Sequence, residues 1–549
     1  MPHFDDICEV SPAGDLLVRA ARQHPFRDAV VFPDRRRNYG DLLSDAERCA
    51  RGMLALGVRP GDHIGLLASN SLEFVAAFFG ILMLGCVAVP LNARHKEREI
   101  GYIVRNANLT LLFSTSDPAD HVDFGALISG AIPALRAATC ARRLNLPEAP
   151  ALRHVVMLRG AGAGALLPRA DFDALADRIA PDAVHQARRR VRLCATALIL
   201  YTSGTTADPK GCMLSHEAIS RGPVERARHR FQTDPHAVHW GGGPLFHIGT
   251  LAPMLGTIGV AGTFLTDTSF VPGRALELIE RERASTAWPW FPAIMQALVD
   301  HPGRSPAALG SLRTVMLIGP PKLIERVGAL LPDAEIVQGC GMTETAGVFA
   351  LSDPDESPRA RAHTQGKAVP GIDVRIVDID TGEEAAEGEV GEILVRGYCV
   401  MSGYYNDPAK TAEAIDADGW LHTGDLYRRS ASGSLSFNGR IKDMLKVGGE
   451  NVAAIEIEAY LCGHPAVRLA EVVGRPDARL DEVPVAFVEL RPGARAEEDE
   501  LIAFCHGKIA SYKVPRAVFF MRGEDWPMSA TKVNKRALRQ RLADTAVAG

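Results

Sequence analysis

Between Tyr201 and Gly211 the chain reads YTSGTTADPKG, and nearly every side chain in that stretch can help to hold an anion. Thr202, Ser203, Thr205 and Thr206 carry hydroxyl donors, Gly204 lets backbone N–H groups approach closely, and Lys210 adds a positive charge. The loop follows an apolar, strand-like run (LCATALIL) and precedes a helix start (SHEAIS), a placement suited to phosphate. The GxxxxGK[ST] spacing is missing, so it is not a Walker A loop. Two further segments carry carboxylates in useful places. GCGMTET, from Gly339 to Thr345, sets Glu344 beside Thr343, and a hard cation such as Mg2+ needs a carboxylate next to phosphate oxygens. WLHTGDL, from Trp420 to Leu426, sets Asp425 after a glycine turn, where one carboxylate can accept from both hydroxyls of a ribose.

The elements that must position these groups are those of an α/β protein. HIGLLAS, LLFST, RHVVML, ALILYTS, TVMLIGP and EIVQGCG read as short apolar strands between helical stretches, which predicts largely parallel sheets. With 549 residues the chain is too long for one core. From Asp373 the texture changes to short strands and turns (VRIVDIDTGEE, GEVGEILVRG, SLSFNGR), which predicts a barrel-like subdomain over 372–438. The charged, glycine-containing RIKDMLKVGGENV precedes a unit the size of a small domain, so a boundary is placed near Lys442. The uncharged run FVAAFFGILMLGCVAVPL, Phe74 to Leu91, is as long as a membrane span. The glycine at its middle and the change to β-branched residues instead predict a buried helix ending near Gly85 and then a strand.

A net charge of -5 argues against a dedicated nucleic-acid surface. The ten cysteines show no C-x-x-C pair and no zinc spacing, as expected of free thiols in a reducing compartment. No signal-peptide pattern, prenylation box or peroxisomal tripeptide is visible, so the expectation is a cytoplasmic protein without an integral membrane segment.

Six separated motifs, in order along essentially the whole chain, resemble those of the adenylate-forming superfamily, and within it the acyl-CoA synthetases. The resemblance implies a large N-terminal domain, 1–441, of two α/β sheets plus a small barrel, followed by a mobile lid, 442–549. It also assigns roles. YTSGTTADPKG would hold ATP phosphates, with Thr202 a further candidate ligand of the Mg2+ held by Glu344. Thr343 would contact the α-phosphate. PLFHIGT places His247 at the entrance of the carboxylate pocket, and no aspartate there pairs a substrate ammonium. Asp425 and Arg440 would bind the ribose or a phosphate, and Lys442 matches the lid hinge. In KVGGENV, Lys446, Gly448 and Gly449 would face the coenzyme A arm. In PMSATKVNK, Lys532 would bridge the substrate carboxylate and the α-phosphate, with Lys535 its competitor. The chain departs from the family pattern at the adenine subsite: GPPKL begins at Gly319, and Cys340 stands before Gly341 where an aromatic residue is usual. Thr531 likewise replaces the usual glycine before Lys532, in a motif one residue short.

These matches imply a two-step ligase using ATP, Mg2+ and coenzyme A on a small carboxylic acid. The protein would supply positioning and charge stabilisation without a covalent nucleophile. A stand-alone enzyme loading a carrier-protein phosphopantetheine, a luciferase-type oxygenase and a non-catalytic adenylate-binding protein stay open, as does oligomeric state, a homodimer included. WPWFPAIMQAL, Trp288 to Leu298, is the expected apolar wall of the acyl pocket, with ordinary helix core as the alternative.

Overall fold

The computed structural model describes residues 10–117, 120, 122–160, 162, 164–202, 208–231, 236–305, 307–447, 450–477, 479–529 and 532–547. The chain divides into two compact units. The first takes Met1–Ala362, Ala368–Asp373 and Val395–Leu421; the second takes His363–Lys367, Val374–Leu394 and His422–Gly549.

Two seven-stranded sheets organise the first unit. In one, the strands run in the order Glu335–Val337, Thr314–Leu317, Thr286–Trp290, Val238–Gly241, Thr263–Leu265, Asp28–Val31 and Arg36–Asn38. All neighbours are parallel except the antiparallel edge strand Arg36–Asn38. The other sheet centres on the parallel strands Thr196–Thr202, Val87–Pro90, His63–Leu67, Leu111–Ser116 and His154–Gly160. Lys210–Ser215 and Gly403–Tyr404 add an antiparallel edge. The main apolar core draws Val30 and Phe264 from the first sheet and Leu66, Ala88 and Leu198 from the second, together with helices such as Leu72–Met83 and Ile248–Gly259.

The long apolar run resolves as its glycine suggests. Ser71 caps a helix over Leu72–Met83 by accepting from the Phe74 N–H at 3.1 Å. Gly85, at φ +67, ends it in the left-handed region, and Val87–Pro90 follows as a strand buried at every position. Among the described residues no helix is long and apolar enough to cross a membrane.

One expectation fails. The strands Ile372–Val377, Val390–Gly397, Leu421–Arg429 and Leu435–Arg440 form an open four-stranded sheet in that order, with Ile372–Val377 and Leu435–Arg440 as its edges. Closure is not achieved because four short strands are too few to curl round a filled interior. The second unit also contains a sheet ordered Glu450–Ala453, Met444–Val447, Asp481–Leu490 and Val467–Asp477, with Val518–Phe520 paired to Asp481–Leu490. Its core includes Val452, Ile457, Leu461, Val472 and Leu501.

Candidate functional site

The sequence-predicted groups of the first unit collect where parallel strands end. Trp290 closes Thr286–Trp290, Gly319 follows Thr314–Leu317, Cys340 and Gly341 follow Glu335–Val337, and the loop holding His247 follows Val238–Gly241. These four strands are neighbours in one sheet, and open α/β sheets bind ligands at the carboxyl ends of their strands. Asn70, 5% exposed at the end of His63–Leu67 in the other sheet, reaches into this region. Its Nδ2 donates to the Gly243 carbonyl at 3.1 Å and its Oδ1 accepts from the Leu245 N–H at 2.8 Å.

Glu344 sits in a short turn, Thr343–Thr345, between two antiparallel strands, and is 9% exposed. The Tyr404 hydroxyl donates to its Oε1 at 2.9 Å, and the Met401 N–H donates to its backbone carbonyl at 2.8 Å. Burial and, behind it, the Glu344 carboxylate hold the Tyr404 phenol above the usual tyrosine range, so it stays a donor. The same ring lies 5.1 Å from the Lys210 Nζ, a cation–π distance. Tyr404 therefore joins the lysine of the phosphate loop to the acidic residue of the cation motif. Sequence reading missed it: Tyr404 lies in GYYN, with nothing in its spacing that refers to Glu344. Thr202 pairs with Lys210 across the two strands that flank the loop. Ser203, Gly204, Thr205 and Thr206 lie outside the described residues, as do Gly448 and Gly449.

Thr343 is half-buried, and its carbonyl accepts from the Ala346 N–H. Gly341 is required by packing, since a Cβ there would meet the Gly347 carbonyl oxygen at 2.5 Å. Cys340 is 2% exposed, opposite Ala350, and is a small buried thiol with no ring to stack on a base. Gln338, fully buried, accepts from the Gly319 N–H at 3.3 Å and donates to the Arg361 and Ala362 carbonyls at 2.7 and 3.1 Å. It fixes Gly319 and the GCGMTET strand together, and the glutamine of QGCG carried no visible signal for that role. His247 forms the N-cap of Ile248–Gly259. Burial, then the charges of Arg94 and His95, push its pKa down to about 4, so it is neutral at physiological pH.

The second unit brings its own predicted residues together. Asp425 and Arg440 are register partners on adjacent strands, with an Arg440 Nε to Asp425 Oδ1 distance of 2.9 Å. Gly424, at φ +70, makes the turn that places the carboxylate, and its N–H donates to Glu392 at 2.8 Å. Lys442 follows in a single helical turn, where partial desolvation and then Arg440 lower its pKa. Lys446 is exposed, and its N–H donates to a Glu482 carboxylate oxygen at 3.0 Å. Lys532 lies on a two-residue strand paired with Ser529. Its competitor Lys535 is committed elsewhere: its Nζ is 2.5 Å from Glu458 and 3.5 Å from Glu471, with both carboxylates largely buried.

The AMP-binding enzyme family matches residues 17–405, and its C-terminal domain matches residues 456–532. A putative acyl-CoA synthetase, YngI, of Bacillus subtilis (strain 168) is 33% identical, with 97% of each chain covered. The chain belongs to the AMP-binding enzyme family. Within it, this acyl-CoA synthetase is similar to the 3-[(3aS,4S,7aS)-7a-methyl-1,5-dioxo-octahydro-1H-inden-4-yl]propanoyl:CoA ligase of Mycobacterium tuberculosis (strain ATCC 25618 / H37Rv), at 34% identity over 98% of this chain and 99% of the relative. It is also similar to the anthranilate CoA ligase AuaEII solved with anthranoyl-AMP, at TM-score 0.83 and 27% identity, with 100% of both chains covered. This acyl-CoA synthetase is an AMP-forming acid–CoA ligase that uses ATP, Mg2+ and coenzyme A. The residues present suit the cation. Glu344 gives one oxygen to Tyr404 and keeps another, and Mg2+ takes one or two carboxylates and completes its shell with phosphate oxygens and water. Among the described residues no cluster of three or more His, Cys, Asp or Glu side chains could hold a metal by itself.

Proposed function

We propose that the first unit activates the acid and that residues of the second alternate between its two half-reactions. The observation that carries this reading is the Lys210–Tyr404–Glu344 connection, which links the phosphate loop to the only carboxylate of the GCGMTET motif. Thr202, Lys210 and the loop between them would hold the phosphates of ATP, and Thr343 the α-phosphate. Glu344, with Thr202, would hold Mg2+, which neutralises charge on the departing pyrophosphate. Asp425 and Arg440 would take the ribose, the carboxylate accepting and the guanidinium already oriented by their ion pair.

The acid would lie beside the neutral His247, its carboxylate facing the positive end of the helix Ile248–Gly259. Its tail would enter a narrow cavity lined by Ile248, Ala252, Pro253, Trp288, Trp290 and Val348. Trp288 and Trp290 would then form part of its wall, while Met295 and Leu298 of the same segment pack in an apolar core. Lys532 would bridge the two anions during adenylation, offsetting their repulsion. Lys446, with Gly448 and Gly449, would serve thioester formation after rotation about Lys442, the lid being 442–549 and the remainder 1–441. The commitment of Lys535 to Glu458 supports Lys532 for the first step. Free coenzyme A is the preferred acceptor, and a cytoplasmic setting suits the free cysteines among the described residues.

The test compares the two half-reactions. Lys532→Ala should abolish acid-dependent pyrophosphate release while thioester formation from a supplied acyl adenylate continues. Equal loss of both steps would remove the support for alternation.

A further inference from the structure

The cavity that would hold the acyl tail is walled mainly by apolar groups, yet it contains donors without acceptors. Arg226, at the end of the helix His216–Arg226, lines it and donates to the Val348 carbonyl at 3.0 Å. Among the described residues no carboxylate forms an ion pair with Arg226. Its electrostatic neighbours are Tyr398 and Cys399, and burial lowers its pKa. A guanidinium carries five N–H donors, and Arg226 is half-buried at the cavity wall.

Trp288 and Trp290 also line the cavity, and the Nε1–H of each is buried with no hydrogen-bond partner. Unpaired buried donors are rare in folded chains, and here two indole donors share one cavity with the half-buried Arg226 guanidinium. Backbone geometry gives a second, independent sign. Trp290 lies at φ +59, a conformation that bulky residues rarely adopt, at a register shift in its strand. Such strain concentrates at binding sites. The helix carrying Arg226 contains Pro223 and passes into a π-helical segment, Ala227–Phe231, another feature common at functional sites.

We propose that this cavity selects acids bearing a second acceptor oxygen, an oxo or carboxylate group, remote from the carboxyl that is activated. The proposal rests on the reading above that the cavity holds the acyl tail. Donors without free acceptors suit a group that only accepts. A ketone or carboxylate satisfies them, a hydroxyl would leave its own proton facing donors, and an ammonium would face the Arg226 cation. Ile248, next to His247, and Gly347, close after Glu344, line the same cavity and tie it to the activation motifs. Arg226 would be the specificity residue, with Trp288 and Trp290 orienting the same oxygen.

The test uses the full chain and three probes of matched length: octanoic acid, 7-oxooctanoic acid and octanedioic acid. Binding is followed by tryptophan fluorescence without ATP, and kcat/KM by pyrophosphate release with MgATP. At least one oxygenated acid should bind about 10-fold or more tightly than octanoic acid and show the same preference in kcat/KM. Arg226→Met should bring both ratios close to one, and Trp288→Phe, which keeps a ring and removes the N–H, should reduce them partly. Preference for the keto acid identifies a carbonyl as the natural group, and preference for the diacid a carboxylate. Equal or tighter binding of octanoic acid by the wild type would overturn the proposal. So would a kcat/KM preference that Arg226→Met leaves intact, although the cavity would then remain the acyl site. A binding preference that disappears in kcat/KM would instead take the cavity out of the acyl path and refute the underlying reading.

Discussion

Replacing Tyr404 by Phe removes one hydroxyl and leaves the ring facing Lys210, so it isolates the bond to Glu344. That bond is 2.9 Å long and ends on a carboxylate only 9% exposed. A hydrogen bond to a charged acceptor contributes about 1.5–3 kcal/mol net, and the partial exposure of Tyr404 places this one at the lower end. A loss of about 1.5–2 kcal/mol corresponds to an adenylation rate lower by about 10- to 30-fold. The assay is acid-dependent pyrophosphate release titrated with Mg2+, beside thioester formation from a supplied acyl adenylate. Loss should be greatest at limiting Mg2+ and should recover in part as Mg2+ rises, and the second half-reaction should suffer less. Wild-type rates for Tyr404→Phe at limiting Mg2+ would refute the idea that the phenol positions Glu344 for the cation. Equal losses in both half-reactions would point to damage to the fold.

Lys535→Ala should destabilise the second unit by about 3 kcal/mol, because it leaves Glu458 and Glu471 facing each other without their cation, and urea unfolding followed by circular dichroism would show a lower midpoint. An unchanged midpoint would show that the ion pair is dispensable to the fold. The same cluster sets a pH dependence. Burial, then Glu458, raises the Glu471 pKa to about 7 despite Lys535, so between its unfolded value and about 7 the native state binds more protons than the unfolded one. Stability should therefore fall as pH rises through that window and level off above it, and Glu471→Gln should flatten the slope in a urea series across pH. Gly341→Ala would place a Cβ 2.5 Å from the Gly347 carbonyl oxygen, which should cost about 1–3 kcal/mol and raise KM for ATP; an unaltered ATP titration would place nucleotide binding elsewhere.

Local features were legible in the sequence where the determining contacts are local. The Gly85 break, the strand before Thr202 and the helix after Ser215 each follow from neighbouring residues, and the structure has all three. Asp425 and Arg440 were legible as candidate nucleotide contacts through the resemblance of WLHTGDL and GRIKD, and their register on adjacent strands came from the structure. What remained hidden depends on residues far apart in the chain. Tyr404 and Glu344 meet because an edge strand of one sheet passes the turn that carries the carboxylate, and no periodicity encodes that. Arg226 reads locally as one more polar residue near the end of a helix, and that it shares a cavity with Trp288, Trp290 and Val348 is visible only in the folded chain. The barrel was over-read because alternating short strands predict a sheet but not whether its edges meet.

Asn70 has a consequence for how the acid pocket can change over time. Its amide, rooted in one sheet, is bonded to the Gly243 carbonyl and the Leu245 N–H, so the loop that leads to His247 is anchored by a buried side chain outside itself. Residues along Pro244–Thr250 can therefore drift toward new acids while the loop stays anchored. Diversification of specificity in a lineage and loss of the Asn70 anchor should be mutually exclusive, with the first frequent and the second purged.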